Sequence, residues 1–232
     1  MRIDILTGLP KLLESPLQES ILRRAQQKGI VEIQIHDLRA YTHDKHRTID
    51  DAPFGGGAGM VLKPEPFFEC IEDLKTQRTY DEVIFLSADG DVLTQSLATE
   101  LSLKQNLLFL CGHYKGIDQR VRDVLVTREI SIGEYVLTGG ELAAAVVVDA
   151  VVRLIPGVLH DGESALTDSF QDGLLGSPQY TRPSEFRGLK VPEVLISGNH
   201  KEIGQWQLTQ REQRTQVRQE NDKEKLKNKL QY

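Results

Sequence analysis

Ser131-Ile132-Gly133-Glu134-Tyr135-Val136-Leu137-Thr138-Gly139-Gly140-Glu141-Leu142 is the stretch whose reading decides the fold. It runs from a predicted strand into a predicted helix through two glycine clusters. Gly133 and the Gly139-Gly140 pair carry no Cβ, so the backbone there can approach a ligand closely. Thr138, with Glu141 three residues on, reads as a capping box and predicts that a helix begins at this point. The residues from Leu142 to Val152 are apolar except for Asp149, which predicts a helix buried on most sides. A loop of exposed amides that ends on a buried helix can cradle a ligand. A tight strand-to-helix turn with no ligand has the same composition.

Outward from this stretch, strand-like and helix-like runs alternate. Ile3–Leu6, Val31–His36, Val83–Ser87, Leu107–Cys111 and Val124–Ile130 read as strands. Several are continuously apolar, as strands buried on both faces are. Helical periodicity appears at Leu17–Lys28, Glu65–Leu74, Gln95–Leu103 and Asp118–Asp123, then after Thr138. This order predicts an α/β fold with a largely parallel sheet. Ligands of such sheets bind beyond the carboxyl ends of the strands. Ser87-Ala88-Asp89-Gly90, Cys111-Gly112-His113-Tyr114-Lys115-Gly116 and Ser131–Gly133 carry loop chemistry there.

After Pro156-Gly157 the character of the chain changes. His160–Thr167 is polar and aperiodic and reads as a linker. The predicted organisation is a first domain over 1–159, a linker over 160–169 and a small C-terminal domain over 170–232. The last of these holds Pro178, Pro183, Pro192 and a helical pattern at His200–Gln219. Glu220 to Tyr232 is highly charged and reads as a tail that frays.

The chain has 232 residues, 39% of them hydrophobic, enough for one large core or for one core and a small appendage. No apolar run is long enough to span a bilayer, and the N-terminus lacks a signal-peptide layout. No membrane partner is expected, and the expected compartment is the cytoplasm. Cys70 and Cys111 match no metal or redox spacing and read as small buried apolar residues. The net charge of −6 argues against a general nucleic-acid binder, but the charge is uneven. Residues 171–232 carry +3 and residues 1–170 carry −9. A basic tail on an acidic body can contact phosphate locally, or it can be an ordinary solvated helix.

Asp50-Asp51-Ala52-Pro53-Phe54-Gly55-Gly56-Gly57-Ala58-Gly59-Met60 is a second glycine-rich loop. It is neither a Walker element nor a dinucleotide fingerprint. Paired carboxylates beside glycines suit a metal, and a mobile surface loop has the same composition. Thr7-Gly8-Leu9-Pro10, after the first strand, also supplies neither nucleotide motif. This weighs against a kinase or dehydrogenase on the same sheet. A non-catalytic RNA-binding module would keep the basic C-terminal part.

Several long blocks carry a family resemblance: Asp50–Met60, Cys111–Val121, Ser131–Leu142, Pro156–Leu159, Asp168-Ser169-Phe170, Gly173-Leu174-Leu175, Pro178–Pro183 and Val191–His200. In their order and spacing the chain resembles the bacterial tRNA (guanine-N1)-methyltransferases, the TrmD family of the SPOUT superfamily. The resemblance covers nearly the whole chain. It implies a SPOUT-type α/β domain, largely parallel and tied in a deep trefoil knot, with a small C-terminal helical domain that binds tRNA. It also implies a homodimer with active sites at the subunit interface. The implied reaction transfers a methyl group from S-adenosylmethionine to N1 of guanosine 37 of tRNA.

Guanine N1 carries a proton at neutral pH, so a base must take it and the charge growing on O6 must be stabilised. The resemblance makes Asp168 the base. Helix capping by Asp168-Ser169 is the structural alternative. Arg153, which closes the apolar helix, becomes the residue at O6, and it also complements the helix dipole. The donor pocket implied is Ser87, Ala88, Asp89, Gly90, Gly112, Tyr114, Gly116, Ser131, Ile132, Gly133, Tyr135, Leu137, Gly139 and Gly140. Arg182, Arg187 and His200 become RNA contacts, although each alone reads as a surface residue. The chain departs from its relatives at Leu86-Ser87-Ala88-Asp89-Gly90-Asp91, where many have Leu-Ser-Pro-Gln-Gly-Arg. It departs again at Lys115, where many carry an acid linked to substrate placement or to Mg2+. Mg2+ is therefore a candidate ion without an assigned ligand.

Overall fold

The computed structural model describes residues 1–159 and 168–229. The predicted linker lies outside the described residues, apart from Asp168 and Ser169. The chain divides into two compact units, Met1–Gly162 and Glu163–Tyr232.

The first unit is built on a five-stranded sheet of β1 (Arg2–Thr7), β2 (Glu32–Asp37), β5 (Glu82–Val92), β6 (Asn106–Cys111) and β7 (Arg128–Ser131). Its order is β2-β1-β6-β5-β7, and every pairing is parallel. The short β3 (Asp50–Asp51) and β4 (Val61–Leu62) form a separate antiparallel pair flanking the glycine-rich loop. Helices α1 (Lys11–Leu17), α2 (Ser20–Gln27), α3 (Pro64–Gln77), α4 (Gln95–Ser102), α5 (Gln119–Leu125) and α6 (Glu141–Val152) complete the unit.

Alternation along the strands divides the core in two, because successive side chains point to opposite faces. Ile3, Ile5, Ile84, Leu86, Leu107 and Phe109 join Ala144, Val147, Val148 and Val151 of α6 on one face. Leu6, Val83, Phe85, Leu108 and Leu110 meet Phe67, Cys70, Ile71 and Leu74 of α3 on the other. Asp4 is fully buried on β1. It accepts from Arg2 Nε (2.8 Å) and Nη2 (2.7 Å) and from the Tyr80 hydroxyl (2.8 Å), with His36 Nε2 2.6 Å away. Burial alone would raise this carboxyl. Hydrogen bonds from His36, Arg2 and Tyr80 outweigh it and hold the group well below the ordinary carboxylate range.

Several expectations need correction. One helix is expected over Leu17–Lys28. Helix α2 forms inside that range at Ser20–Gln27, after a turn at Ser20 where φ is 51°, and a separate helix α1 precedes it over Lys11–Leu17. The apolar run Val124–Ile130 is not one strand. Asp118 caps α5 by accepting from Arg120 N (2.9 Å), and the helix takes Val124 and Leu125 before β7 begins. Ser87–Gly90 is not a loop after β5 but an irregularity within it. Leu86 and Asp91 both lie opposite Ile130 of β7. The capping box at Thr138 and Glu141 does not form. Gly140 is the N-cap of α6, with no side-chain cap. The Glu141 carboxylate turns inward instead, where it is buried and accepts from Thr7 Oγ1 (2.7 Å). Helix α6 is buried on one side only, with Leu142 54% and Val146 48% exposed.

In the second unit an antiparallel ribbon pairs Glu185–Phe186 with Leu189–Lys190. A short helix follows at Glu193–Ile196, then a long one at His200–Lys229. The helix continues to Lys229, and the rest of the tail expected to fray lies outside the described residues.

Candidate functional site

The carboxyl ends of β5, β6 and β7 surround a single cleft, bounded also by the N-terminal end of α6. Ser87 and Ala88 line it from the β5 irregularity. Gly112, Tyr114 and Gly116 line it from the turn after β6. Ser131, Ile132, Gly133, Tyr135, Leu137, Gly139 and Gly140 come from the decisive stretch.

Three interactions shape this cleft. Ser131 Oγ donates to the Gly133 carbonyl (2.9 Å) and lies 3.2 Å from the Gly133 amide, which tightens the turn leaving β7. Gly140 N donates to Gly112 O (2.8 Å), and His113 and Gly139 form an isolated antiparallel bridge. The third is a matter of space. A Cβ on Gly140 would stand 3.0 Å from Cys111 Cα, 3.2 Å from Gly112 N and 3.3 Å from Leu86 Cβ. The backbone at the end of β6 and the Leu86 side chain both crowd this position, so any residue larger than glycine must push them aside. The Cys111 thiol beside it is fully buried. Burial first, and then the charge of Glu141, pushes it well above the ordinary thiol range.

Asp89 and Gly90 do not line the cleft. The Asp89 carboxylate lies 3.7 Å from Arg122, which itself binds Glu129 through two 2.8 Å hydrogen bonds. A Cβ on Gly90 would sit 2.5 Å from the Glu129 carbonyl carbon, so this glycine serves the packing of β5 on β7. Some lining residues went unread in the sequence, among them His113, Lys115, Val136 and Thr138. His113 Nδ1 is buried and has no hydrogen-bond partner among the described residues. The signal for Val136 was present: an apolar residue between glycine clusters, left largely exposed.

The second glycine-rich loop is tied to this region. Lys115 N donates to Met60 O (3.0 Å) and Leu62 N to Gly116 O (3.0 Å). The stem of Lys115 packs where a Cβ on Gly59 would be. Among the described residues no three His, Cys, Asp or Glu side chains converge as a metal would need.

Arg153 is the C-cap of α6, as its position in the sequence suggests. It lines an apolar groove with Pro16, Leu22, Leu142, Ala145 and Val146. Asp168 opens the described part of the second unit and is half-buried. No helix starts between 168 and 184, so Asp168 and Ser169 do not cap one there. Ser169 Oγ accepts from Gly176 N instead (2.8 Å). Arg182, Arg187 and His200 are all exposed on the second unit.

Comparison with known proteins agrees with this picture. The family described as tRNA (Guanine-1)-methyltransferase TrmD matches residues 1–225. A tRNA (guanine-N(1)-)-methyltransferase of Bacteroides fragilis is 60% identical over 93% of this chain and 96% of its own length. Proteins of the same name from Bacteroides thetaiotaomicron and Porphyromonas gingivalis are 59% and 58% identical over the same shares. With residues 1–225 matched and relatives this similar over almost their full length, the chain belongs to the tRNA (guanine-N1)-methyltransferase family.

Proposed function

We propose that the protein transfers a methyl group from S-adenosylmethionine to N1 of guanosine 37 of tRNA, next to the anticodon, and so supports reading-frame maintenance. The observation that carries this reading is the glycine-walled cleft. It gathers on one surface the segments around Ser87, Gly112 and Ser131–Gly140. The relatives' names point to the same reaction.

The cleft suits the donor. Ile132, Leu137 and Tyr135 offer apolar surface for a flat base. A Cβ on Gly116 would meet nothing within 4 Å, so the backbone there is open to a ligand. The unpartnered His113 Nδ1 adds a polar atom at the wall. When bound, S-adenosylmethionine supplies an electrophilic methyl group. Asp168 takes the proton from guanine N1, and Arg153 stabilises the negative charge on O6. The protein's main share is to hold N1 in line with the methyl.

The finer architecture is read the same way. Residues 1–159 form a SPOUT domain and 170–232 a tRNA-binding domain. A deep trefoil knot is supported by the family that the chain belongs to. A homodimer is supported by the apolar groove of α6. It contains Arg153 itself, so a partner seated there would reach the catalytic arginine. The composite site then takes Arg153 from one chain and Asp168 from the other. Mg2+ receives no ligand in this reading, because Lys115 replaces the acid. No described helix is long and apolar enough to cross a membrane, and we place the enzyme with its tRNA in the cytoplasm.

The test is direct. Purified protein is incubated with labelled S-adenosylmethionine and unmodified tRNA, and the product is sequenced by mass spectrometry. We expect 1-methylguanosine at position 37. No transfer, or transfer only to another base, overturns the reading. Calorimetry is expected to show one donor site per chain, and tighter binding of ATP or NAD would also defeat it.

A further inference from the structure

The ribbon of the second unit has two unlike faces. Phe186 and Leu189 are directly paired, as are Glu185 and Lys190. Paired residues share a face, so Phe186 and Leu189 lie on one side and Glu185 and Lys190 on the other. The charged side closes on itself, with Lys190 Nζ 3.8 Å from Glu185. The apolar side is covered by little else in this chain, with Phe186 60% and Leu189 76% exposed.

The turn between the strands is Arg187-Gly188, with φ of 52° and 80°. Positive φ at both central residues is what a two-residue hairpin turn of the primed type requires, and Asn-Gly is the favoured pair. Arginine pays a backbone cost there that asparagine avoids, and such outliers point toward function. The guanidinium sits over the Phe186 ring, 5.2 Å from its centroid. The ribbon therefore presents a guanidinium stacked on a ring at an exposed tip, with the outer guanidinium plane open to a further flat group.

We propose that this tip, Phe186-Arg187-Gly188-Leu189, is a stacking platform for unpaired bases in the loop of the RNA substrate. The proposal rests on the tRNA methyltransferase reading and deepens it. Unpaired bases offer flat π-faces that stack on aromatic rings and on arginine planes, and this is how proteins grip RNA loops. The charge supports RNA over a second protein surface. Residues 182–201 carry Arg182, Arg187, Lys190 and Lys201 against Glu185 and Glu193. The platform separates two tasks within the RNA contacts. Arg182 and His200 are left to meet phosphate, which positions, while the ribbon tip recognises that the bases are unpaired.

Two full-length variants test it. Arg187→Asn keeps a residue that the turn favours and removes the guanidinium. Phe186→Ala removes the ring. The probes are an unmodified tRNA transcript, an isolated anticodon-arm hairpin carrying 2-aminopurine in its loop, and a fully paired duplex of the same length. Each variant is expected to bind the hairpin about tenfold more weakly, the loss of one stacked base. The 2-aminopurine quenching of the wild type is expected to fall with it. Duplex affinity and donor affinity should not change, and Arg187→Asn should melt no lower than the parent. Unchanged hairpin affinity in both variants overturns the proposal, as does an equal loss for hairpin and duplex. A shift in sedimentation with unchanged RNA affinity overturns it in favour of a protein interface. Failure of the parent reading looks different, since the wild type itself would then neither bind the donor nor methylate tRNA.

Discussion

In the unit Met1–Gly162 the sheet is sealed on both faces, with Ile3, Ile5, Leu107 and Phe109 fully buried on one and Leu108, Leu110 and Phe67 on the other. In Glu163–Tyr232 the one described side chain that reaches burial is Thr215, a polar one. That unit is held by hydrogen bonds between its long helix and the preceding loop. Thr215 Oγ1 accepts from Leu175 N (2.9 Å), Arg211 Nη2 binds Asp172 (2.6 Å), and Arg214 donates to Gly176 O. Such bonds contribute about 0.5–1.5 kcal/mol each. The first unit is thus rigid through its own core. The second has polar ties and exposed apolar side chains.

If the reaction needs both units, the largest effects fall on residues from each. Asp168→Ala and Arg153→Ala are each expected to lower methyl transfer about 10²–10⁴-fold while leaving donor binding intact. A heterodimer of the two variants regains one intact site of two, and so about half of wild-type activity per dimer. A purified heterodimer as inactive as its parents would place both residues in the same chain.

The comparison next predicts separate stabilities. Trp206, the only tryptophan, belongs to the second unit and reports on it alone. Asp4→Asn removes the buried carboxylate that Arg2, His36 and Tyr80 share, and is expected to cost about 1–3 kcal/mol. Far-ultraviolet circular dichroism should follow this loss, while the Trp206 transition holds its midpoint. A common shift of both transitions would make the chain one cooperative body. The same residue sets an acid limb. Its folded pKa is depressed, so its contribution is complete above the unfolded value of about 3.9 and is lost as pH falls below it. Urea midpoints between pH 7 and pH 3 should fall in the parent and stay flatter in Asp4→Asn.

Gly140→Ala follows, at about 1–3 kcal/mol for pushing aside the end of β6 and the Leu86 side chain. It is also expected to weaken donor binding, and calorimetry that finds full affinity would show that the Gly140 position is not part of the donor site. Smallest is Arg211→Ala, about 1 kcal/mol, seen in the Trp206 transition and absent from the sheet.

Much of the first unit was legible because buried parallel strands write themselves as apolar runs. Leu107–Cys111 and Ile3–Leu6 fall within the strands that form. The glycine clusters marked the cleft because close backbone approach leaves few other residues possible. The misreadings have physical causes. Val124 and Leu125 favour strands locally, yet a capped helix claims them. Glu141 has the spacing of a capping residue, but Thr7, more than a hundred residues earlier, offers its carboxylate a buried donor. Asp89 has the sequence context of a pocket residue, and in the fold its exposed carboxylate lies 3.7 Å from Arg122. The roles of Asp168 and Arg153 were legible only through family resemblance. Nothing local in the sequence sets Asp168 or Arg153 apart from a capping or surface residue.

The strand order has a consequence for how the protein is made. β1 lies between β2 and β6, with Ile3 facing Ile33 on one side and Leu107 on the other. The ribosome delivers the first neighbour early and the second about seventy residues after the end of β2. At roughly 5–20 residues per second, that interval lasts about 4–14 s. For those seconds β1, whose Ile3, Ile5 and Leu6 are fully buried in the fold, has one open edge, a template for pairing with other chains. The segment bearing Gly140 packs on Cys111 and Gly112 at the end of β6, so it too docks only once that strand is in place. Newly made protein should therefore depend on holding chaperones most strongly between the emergence of β2 and that of β6. Ribosome-bound fragments ending near residue 90 should aggregate more readily than those ending near 160.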